Sequence, residues 1–225
     1  NTQQVEGTGV ATMKQSADNY TSIVEIDTEF EYNFTERTSS QYGEAVAKNL
    51  GDFITKAKVS GGYYIGRYEA GKVSGNENTF NIKKGQTAYN NIIQSKASTL
   101  AKGLYSSNNN FESDLVNSYA YDTAIVFIQT FSGDSDYSKQ IRIHDALTTT
   151  GSAHDSNNNY DIRCNIYDMA ANVREWSTES YNDSNTPCVR RGGNYTYNTN
   201  YAASRDIYNT SNSYTAIGFR SILYL

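Results

Sequence analysis

The sequence predicts a mixed α+β fold, and three observations lead there. Segments with helical spacing of apolar residues fall in the first two thirds of the chain, interleaved with strand-like runs. From about residue 164 the pattern changes to short strands separated by turns. With 225 residues, 37% hydrophobic and 13% aromatic, the chain has the material for a core, and segregation of helices from strands is the mark of the α+β class.

Residues 1–19 are polar without periodicity and read as a linker or an ordered arm. Residues 20–35 place Ile23, Val24, Ile26, Phe30, Tyr32 and Phe34 in partial alternation, which predicts one or two strands. Over 40–59, Ala45, Val46, Leu50, Phe53 and Ile54 share one broad helical face, and Gly61-Gly62 stops that helix. A strand follows over 63–71. Residues 90–105 read as a second helix. Residues 111–131 read as a third, with Leu115, Tyr119, Ala120, Ala124, Phe127 and Ile128 turned inward. The polar stretch 133–160 reads as a long surface loop in which His154 is solvated. No internal repeat with a period of roughly 20 to 50 residues is visible.

Composition excludes several classes. Net charge is −5 and the pI about 5.1, so the chain lacks the basic face of a general nucleic-acid binder. No apolar run approaches the roughly 18 residues of a membrane-spanning helix. Two cysteines, Cys164 and Cys188, do not build a disulfide scaffold. Two histidines, His144 and His154, leave little for a His-based metal site or a Ser-His-Asp triad. The first residue is Asn1 rather than Met and no secretory leader pattern follows it. An upstream segment is therefore expected to have been removed.

The polar load is unusual. Charged residues make up only 19%, while the chain carries 25 Asn and 20 Tyr. The tract 194–216, "NYTYNTNYAASRDIYNTSNSYTA", holds five of each in 23 positions and contains no Lys, Glu, Gln, Trp or Met. No Lys occurs after Lys139, although seven Arg do. One reading is a polar surface loop. The other is a recognition surface, because Tyr offers large rigid contact area and Asn and Ser offer adaptable hydrogen bonding. A disordered tail is poor in aromatics and is not closed by an apolar strand such as 217–225.

The ordered set "NIYDMAANVREWSTE … CVRRGGNY … AASR … IGFRSILYL" resembles the C-type lectin fold of the formylglycine-generating-enzyme type. That family carries a G-N-V-W-E-W loop, then R-G-G-S, then Arg, then G-F-R. Here "GGYYIGRYEAG" looks like the first core strand of the family, and the two helices after it look like its two core helices. The resemblance covers about 60–225 and implies a C-type lectin-like domain there, with two core helices and short antiparallel strands. It leaves 1–59 as a segment packing on that domain or linking it to another. The chain departs at Ala171, where the family has Gly, and at Arg174, where it has Trp.

The tract also resembles the variable region of proteins diversified by a diversity-generating retroelement, in which template adenines, mostly in Asn codons, are rewritten. Changing the first two bases of an Asn codon reaches Tyr, Asp, Ser, Thr, Ile and Ala, among others. It does not reach the five residues missing from 194–216. The resemblance implies ligand contact by a variable region of about 181–216, through Tyr181, Asn182, Thr196, Tyr197, Asn198, Asn200, Tyr201, Asp206, Ile207, Tyr208, Asn209, Asn212, Tyr214, Thr215 and Ala216.

The family's oxidases bind copper through two cysteines just after the Arg-Gly-Gly motif, with thiolates suited to Cu(I). Residues 195–205 contain no Cys, so that activity is not expected. Iron-dependent relatives need a separate His-bearing helical domain, which this length excludes. In the lectin-like fold the strands near Cys164 and Cys188 lie close, so the pair is either bridged or two small buried hydrophobes. The family's calcium loop maps to the Asp168 and Glu175 side chains with the Ala171 and Val173 carbonyls. Oxygen ligands suit Ca²⁺, and the alternative is that both carboxylates bond the loop without metal. Trp176 is expected in the core, Arg191 and Arg220 in structural ion pairs, and Arg205 in either role. The sugar-binding motifs of calcium-dependent lectins are missing.

These readings converge on a non-enzymatic ligand- or receptor-binding protein with no required cofactor. Its expected partner is a protein or glycan on a cell surface, not nucleic acid, and its expected place is extracellular, on a cell surface or on a phage tail. Oligomeric display would raise avidity. The alternatives are a formylglycine-type oxidase relative and an adhesin module with one fixed partner.

Overall fold

A computed structural model describes the strand at 34–36 and residues 44–225, apart from 109, 142–145, 155–156, 158–159, 182–184, 186 and 198–199. The expectations for 1–33 lie outside the described residues. The described part is mixed α+β, with three helices and several small sheets. No helix among the described residues is long and apolar enough to cross a membrane.

In chain order the strands are β1 (Phe34–Glu36), β2 (Tyr64–Ile65), β3 (Gly71–Val73), β4 (Asn76–Asn81), β5 (Glu112–Leu115), β6 (Ile162–Arg163), β7 (Ile166–Tyr167), β8 (Arg174–Tyr181), β9 (Cys188–Arg191), β10 (Arg205–Tyr208), β11 (Ile217–Phe219) and β12 (Ser221–Tyr224). The helices are α1 (Leu50–Val59), α2 (Gln94–Gly103) and α3 (Ser118–Phe131), with a 3-10 turn at Tyr137–Lys139.

β8 organises the main sheet. It runs antiparallel to β1 and β9, β10 lies outside β9, and β11 pairs with β8 in parallel. Side chains alternate across strands, so this sheet has two different faces. On one, Trp176, Cys188, Ile217 and Phe219 pack with Ala97, Leu100 and Ala101 of α2. The Trp176 indole donates to the Ile92 carbonyl at 2.8 Å, which satisfies its one polar atom in the core. The other face meets α3 through Asp122, which binds Arg191 and Arg205. A second sheet, β2-β12-β5, closes the molecule beside α1 and α3. There Phe53 of α1 stacks among Tyr63, Tyr119 and Tyr224, so residues before 60 share this core.

Local chemistry sets the helix ends. Asn49 accepts from the Asp52 amide at 2.9 Å and Asn117 from the Ala120 amide at 2.7 Å, each supplying an acceptor to an unpaired first-turn donor. Gly61 ends α1 with φ of 68°, while the Gly62 amide reaches back to the Ala57 carbonyl.

The first helix is shorter than the sequence predicts. Ala45 and Ala47 are buried but not helical, because the Val46 amide is held by the Asp114 carboxylate at 2.6 Å and Asn49 caps a helix that begins only at Leu50. The predicted strand over 63–71 is two strands, and the hairpin β3-β4 was not anticipated. The predicted helix over 111–131 divides at Asn117: Leu115 belongs to β5, and Phe127 is 41% exposed instead of inward. The stretch 133–160 is pinned rather than solvated throughout. Tyr137 is buried with its hydroxyl donating to Asp161 at 2.8 Å, and His154 is buried against Asp168. The two cysteines are not bridged to each other: Cys188 lies in the α2-side core and Cys164 packs against the core on the α3 side.

The Arg-Gly-Gly motif has a steric reason. A Cβ on Gly193 would lie 2.0 Å from the Ala170 carbonyl oxygen, a backbone atom with nowhere to move. Gly193→Ala is therefore expected to cost about 3 kcal/mol or more, whereas Gly103→Ala, with open space at its Cβ, is expected to be neutral or stabilising by up to about 1 kcal/mol. Chemical denaturation of both variants checks the pair, and equal stability would contradict the packing assigned to Gly193.

Candidate functional site

The tract 194–216 does not sit on the surface as one loop. Its buried members anchor it. Ala202 and Ala203 pack into the α3-side core, and the Ala202 and Ala203 amides donate to the Gln140 and Ser138 carbonyls. Arg205 is buried and binds Asp122 and Glu179, next to Arg191, which binds the same two carboxylates. Burial opposes the charge on Arg191, but Asp122 and Glu179 outweigh it and hold its pKa above the ordinary arginine value. Arg205 is thus scaffold, as are Arg191 and Trp176. Ala216 is also fully buried and presents nothing to a ligand; its carbonyl accepts from the Arg174 amide at 2.9 Å.

The outward members gather around the first residues of β8. Asn194 accepts from the Thr196 amide and hydroxyl and from the Tyr197 amide, each at 2.9 Å, and so shapes the loop that presents Tyr197 at 53% exposure. The Tyr195 amide donates to the Asn172 carbonyl, and its hydroxyl reaches Thr215 Oγ1 at 3.0 Å. That contact joins the 194–197 loop to the 212–215 loop. The Asn90 amide group holds the Thr215 carbonyl at 2.7 Å, and the Asn91 amide holds that of Tyr214. Tyr214 is 41% exposed, and Asn212 and Thr215 are exposed beside it.

Between the two loops lies β10. Arg205 faces inward, so its neighbour Asp206 faces outward, where one oxygen accepts from both Arg174 and Arg190. Tyr208 covers the Arg190 guanidinium, whose carbon lies 3.6 Å from the ring centroid. Thr196, Asn200, Tyr201, Ile207 and Asn209 are half-buried; Tyr201 packs on the α3-side core, and Asn209 caps its own turn by accepting from Ser211. Tyr181 is half-buried at the end of β8, while Asn182 and Asn198 lie outside the described residues. Sequence reasoning missed Arg174, Arg190, Tyr195 and Asn90 as parts of this surface. The one signal for them was Arg174 standing at a position where the resembled family has Trp.

The predicted calcium carboxylates are both buried, but each is committed elsewhere. Asp168 bonds His154 Nε2 at 2.7 Å and the Gly151 amide at 3.2 Å. Glu175 Oε1 accepts from Arg220 Nε at 2.7 Å, and Arg220 also donates to the Gly66 and Tyr167 carbonyls at 2.6 Å. Burial raises the Glu175 pKa against the pull of Arg220. Glu175 Oε2 is buried without a hydrogen-bond partner among the described residues, and no group of three His, Cys, Asp or Glu side chains among them is arranged to hold a metal ion. Thr148, His154 and Asp168 follow one another as hydroxyl, imidazole and carboxylate, with 3.4 Å and 2.7 Å between them. The imidazole and the carboxylate are fully enclosed, which leaves a substrate no approach to them. A cavity of about 330 Å³ against α1 and β12 is lined by Thr55, Lys56, Val59, Glu112, Tyr224 and Leu225 among others, and by no residue of the tract.

No protein-family profile matches the chain, and no curated protein matches it in sequence. A solved structure titled "Crystal Structure of CarF" is similar at a TM-score of 0.47 and 14% identity, covering 96% of this chain and 93% of that one. A likeness that distant supports no inference.

The arrangement of Arg220 on Glu175 predicts that calcium is not needed for folding. Overnight dialysis against a calcium chelator is expected to leave the thermal midpoint within about 1 °C, because ligand-linked stability requires a bound ligand to lose. A drop of several degrees, restored by added calcium, would contradict the pairing of Glu175 with Arg220.

Proposed function

We propose that this chain is a non-enzymatic binding protein of the C-type lectin fold, of the formylglycine-generating-enzyme type. Its ligand surface is the Tyr- and Asn-rich rim formed by 194–197, 206–209 and 212–215, and this surface is diversified at the DNA level. The observation that carries the reading is the partition within one tract. Asn194, Ala202, Ala203 and Arg205 are buried and bonded, while Tyr197, Asn212, Tyr214 and Thr215, separated along the chain, are exposed around the start of β8.

Physical chemistry supports this use of the rim. Tyrosine carries a large apolar ring and one hydroxyl with few rotors to freeze, so it supplies binding energy at low entropic cost. A rigid sheet beneath variable loops is the usual platform for recognition. The partner class is a protein or glycan on a cell surface, met by an extracellular, cell-surface or phage-borne protein. Oligomeric display would add avidity. The oxidase reading finds no second thiol beside Cys188 for Cu(I), since Cys164 packs in the other core.

Sequencing the coding region across natural isolates tests the proposal. Codons for Tyr197, Tyr208, Asn212 and Tyr214 are expected to vary among residues reachable from an Asn codon by its first two bases. Those for Gly192, Gly193, Gly218 and Phe219 are expected to stay fixed. An invariant tract would overturn diversification and leave a binding surface with a single fixed partner.

A further inference from the structure

Arg174 and Arg190 stand on neighbouring strands at the edge of the α2-side face, beside Trp176, and share one carboxylate, Asp206, through a single oxygen. Both guanidiniums are largely desolvated, with side-chain exposures of 7% and 11%, while Asp206 is 38% exposed. Among the described residues, two buried cations thus face one anion, and the acids of the α3-side face are engaged elsewhere: Glu175 is bound to Arg220, and Glu179 to Arg191 and Arg205. The Nε atoms of both arginines are buried without a hydrogen-bond partner among the described residues. Burial, and next the proximity of Arg174, depresses the Arg190 pKa, as expected of crowded like charges. The Tyr208 ring lies over Arg190 on one side and keeps its plane fixed.

We propose that Arg174 and Arg190 form a carboxylate-binding subsite of this face, and that residue 206 decides whether it is open. In this chain Asp206 is the tethered guest. A chain with a shorter or neutral residue at 206 presents the same two guanidiniums, held from behind by the sheet and by Tyr208, to the carboxylate of a ligand. The matching chemistry is an Asp or Glu side chain of a protein partner, because the guest already seated is an Asp side chain. Guanidiniums bind carboxylates with paired, charge-assisted N–H donors, and the partial desolvation here strengthens that attraction relative to an exposed arginine. The inference rests on the reading of this rim as a recognition surface for its biological use, but not for its chemistry.

The test uses acetate, which reproduces the Asp side chain, as the probe on the full chain. Thermal midpoints are measured in acetate and in chloride at equal ionic strength. Asp206→Ala and the isosteric Asp206→Asn are expected to gain about 3–6 °C in acetate at ten times its dissociation constant. The parent chain is expected to show less than a third of that shift, and Asp206→Ala/Arg190→Gln none. A variant at 206 that folds only in acetate also supports the proposal. No acetate-specific shift in either single variant, an equal shift in the variant lacking Arg190, or an equal shift in the parent chain would overturn it. Acetate binding together with an invariant tract among isolates would keep the subsite and remove the diversification reading; the reverse combination would do the opposite.

Discussion

Four charged groups buried between the main sheet and α3 hold the rest of the molecule in place. Arg191 of β9 and Arg205 of β10 each bind both Asp122 of α3 and Glu179 of β8, so three strands and one helix meet at one electroneutral cluster. Such a cluster adds little net stability compared with apolar packing, since desolvation consumes most of its attraction. Its consequence is geometric. If one member is lost, an uncompensated charge is left in the interior at a cost of about 3–5 kcal/mol. A slip of β10 by one residue would put Asp206 in the place of Arg205 and set a third carboxylate against Asp122 and Glu179. The register of β10 is therefore fixed from inside.

That fixed register explains how one short tract does two jobs. Alternation along β9 and β10 turns Arg191 and Arg205 inward and Arg190, Asp206 and Tyr208 outward. The buried half of the tract carries residues whose sizes are dictated by neighbours, as Ala202 and Ala203 are by the α3-side core. The outer half meets solvent, where surface substitutions usually change stability by less than about 0.5 kcal/mol. A scaffold whose sheet is packed on both faces, by α3 on one and α2 on the other, leaves the exposed loops at its rim free to change their chemistry. The same logic places Arg220 behind the β8 loop, where it holds Glu175 and two carbonyls.

Much of this was legible in the sequence where periodicity or a specific motif carried it. The α+β class, α2, the body of α3 and the short C-terminal strands follow from spacing alone. The burial of Trp176, Arg191 and Arg220 follows from the ordered motif set. The errors have physical causes. The predicted helix over 111–131 ran through Asn117, because apolar residues of a buried strand and of a helix face look alike in a short window; the Asn117 cap was the signal that divides them. Residues 45–47 looked helical, but a distant carboxylate, Asp114, takes the Val46 amide. His154 looked solvated within a polar stretch, yet Asp168 draws that stretch inward through His154 and the Gly151 amide. Ala216 fell in the variable composition, but its backbone pairs with β8 and its side chain is enclosed. The Arg174–Asp206–Arg190 group could not be read from the sequence, since it depends on the cross-strand register of β9 and β10 and on the approach of β8.

Stability resides in the two covered faces of the main sheet, and chemical freedom in the exposed loops at its rim, 194–197 and 212–215. The most direct measurement compares unfolding free energies by denaturant titration for two variants of the full chain. One carries Tyr197→Ala, Asn212→Ala and Tyr214→Ala together, and the other carries Arg191→Met alone. The account predicts that the triple outer variant stays within about 1 kcal/mol of the parent, and that the single inner variant loses about 3–5 kcal/mol. A triple variant that loses more than Arg191→Met would contradict it.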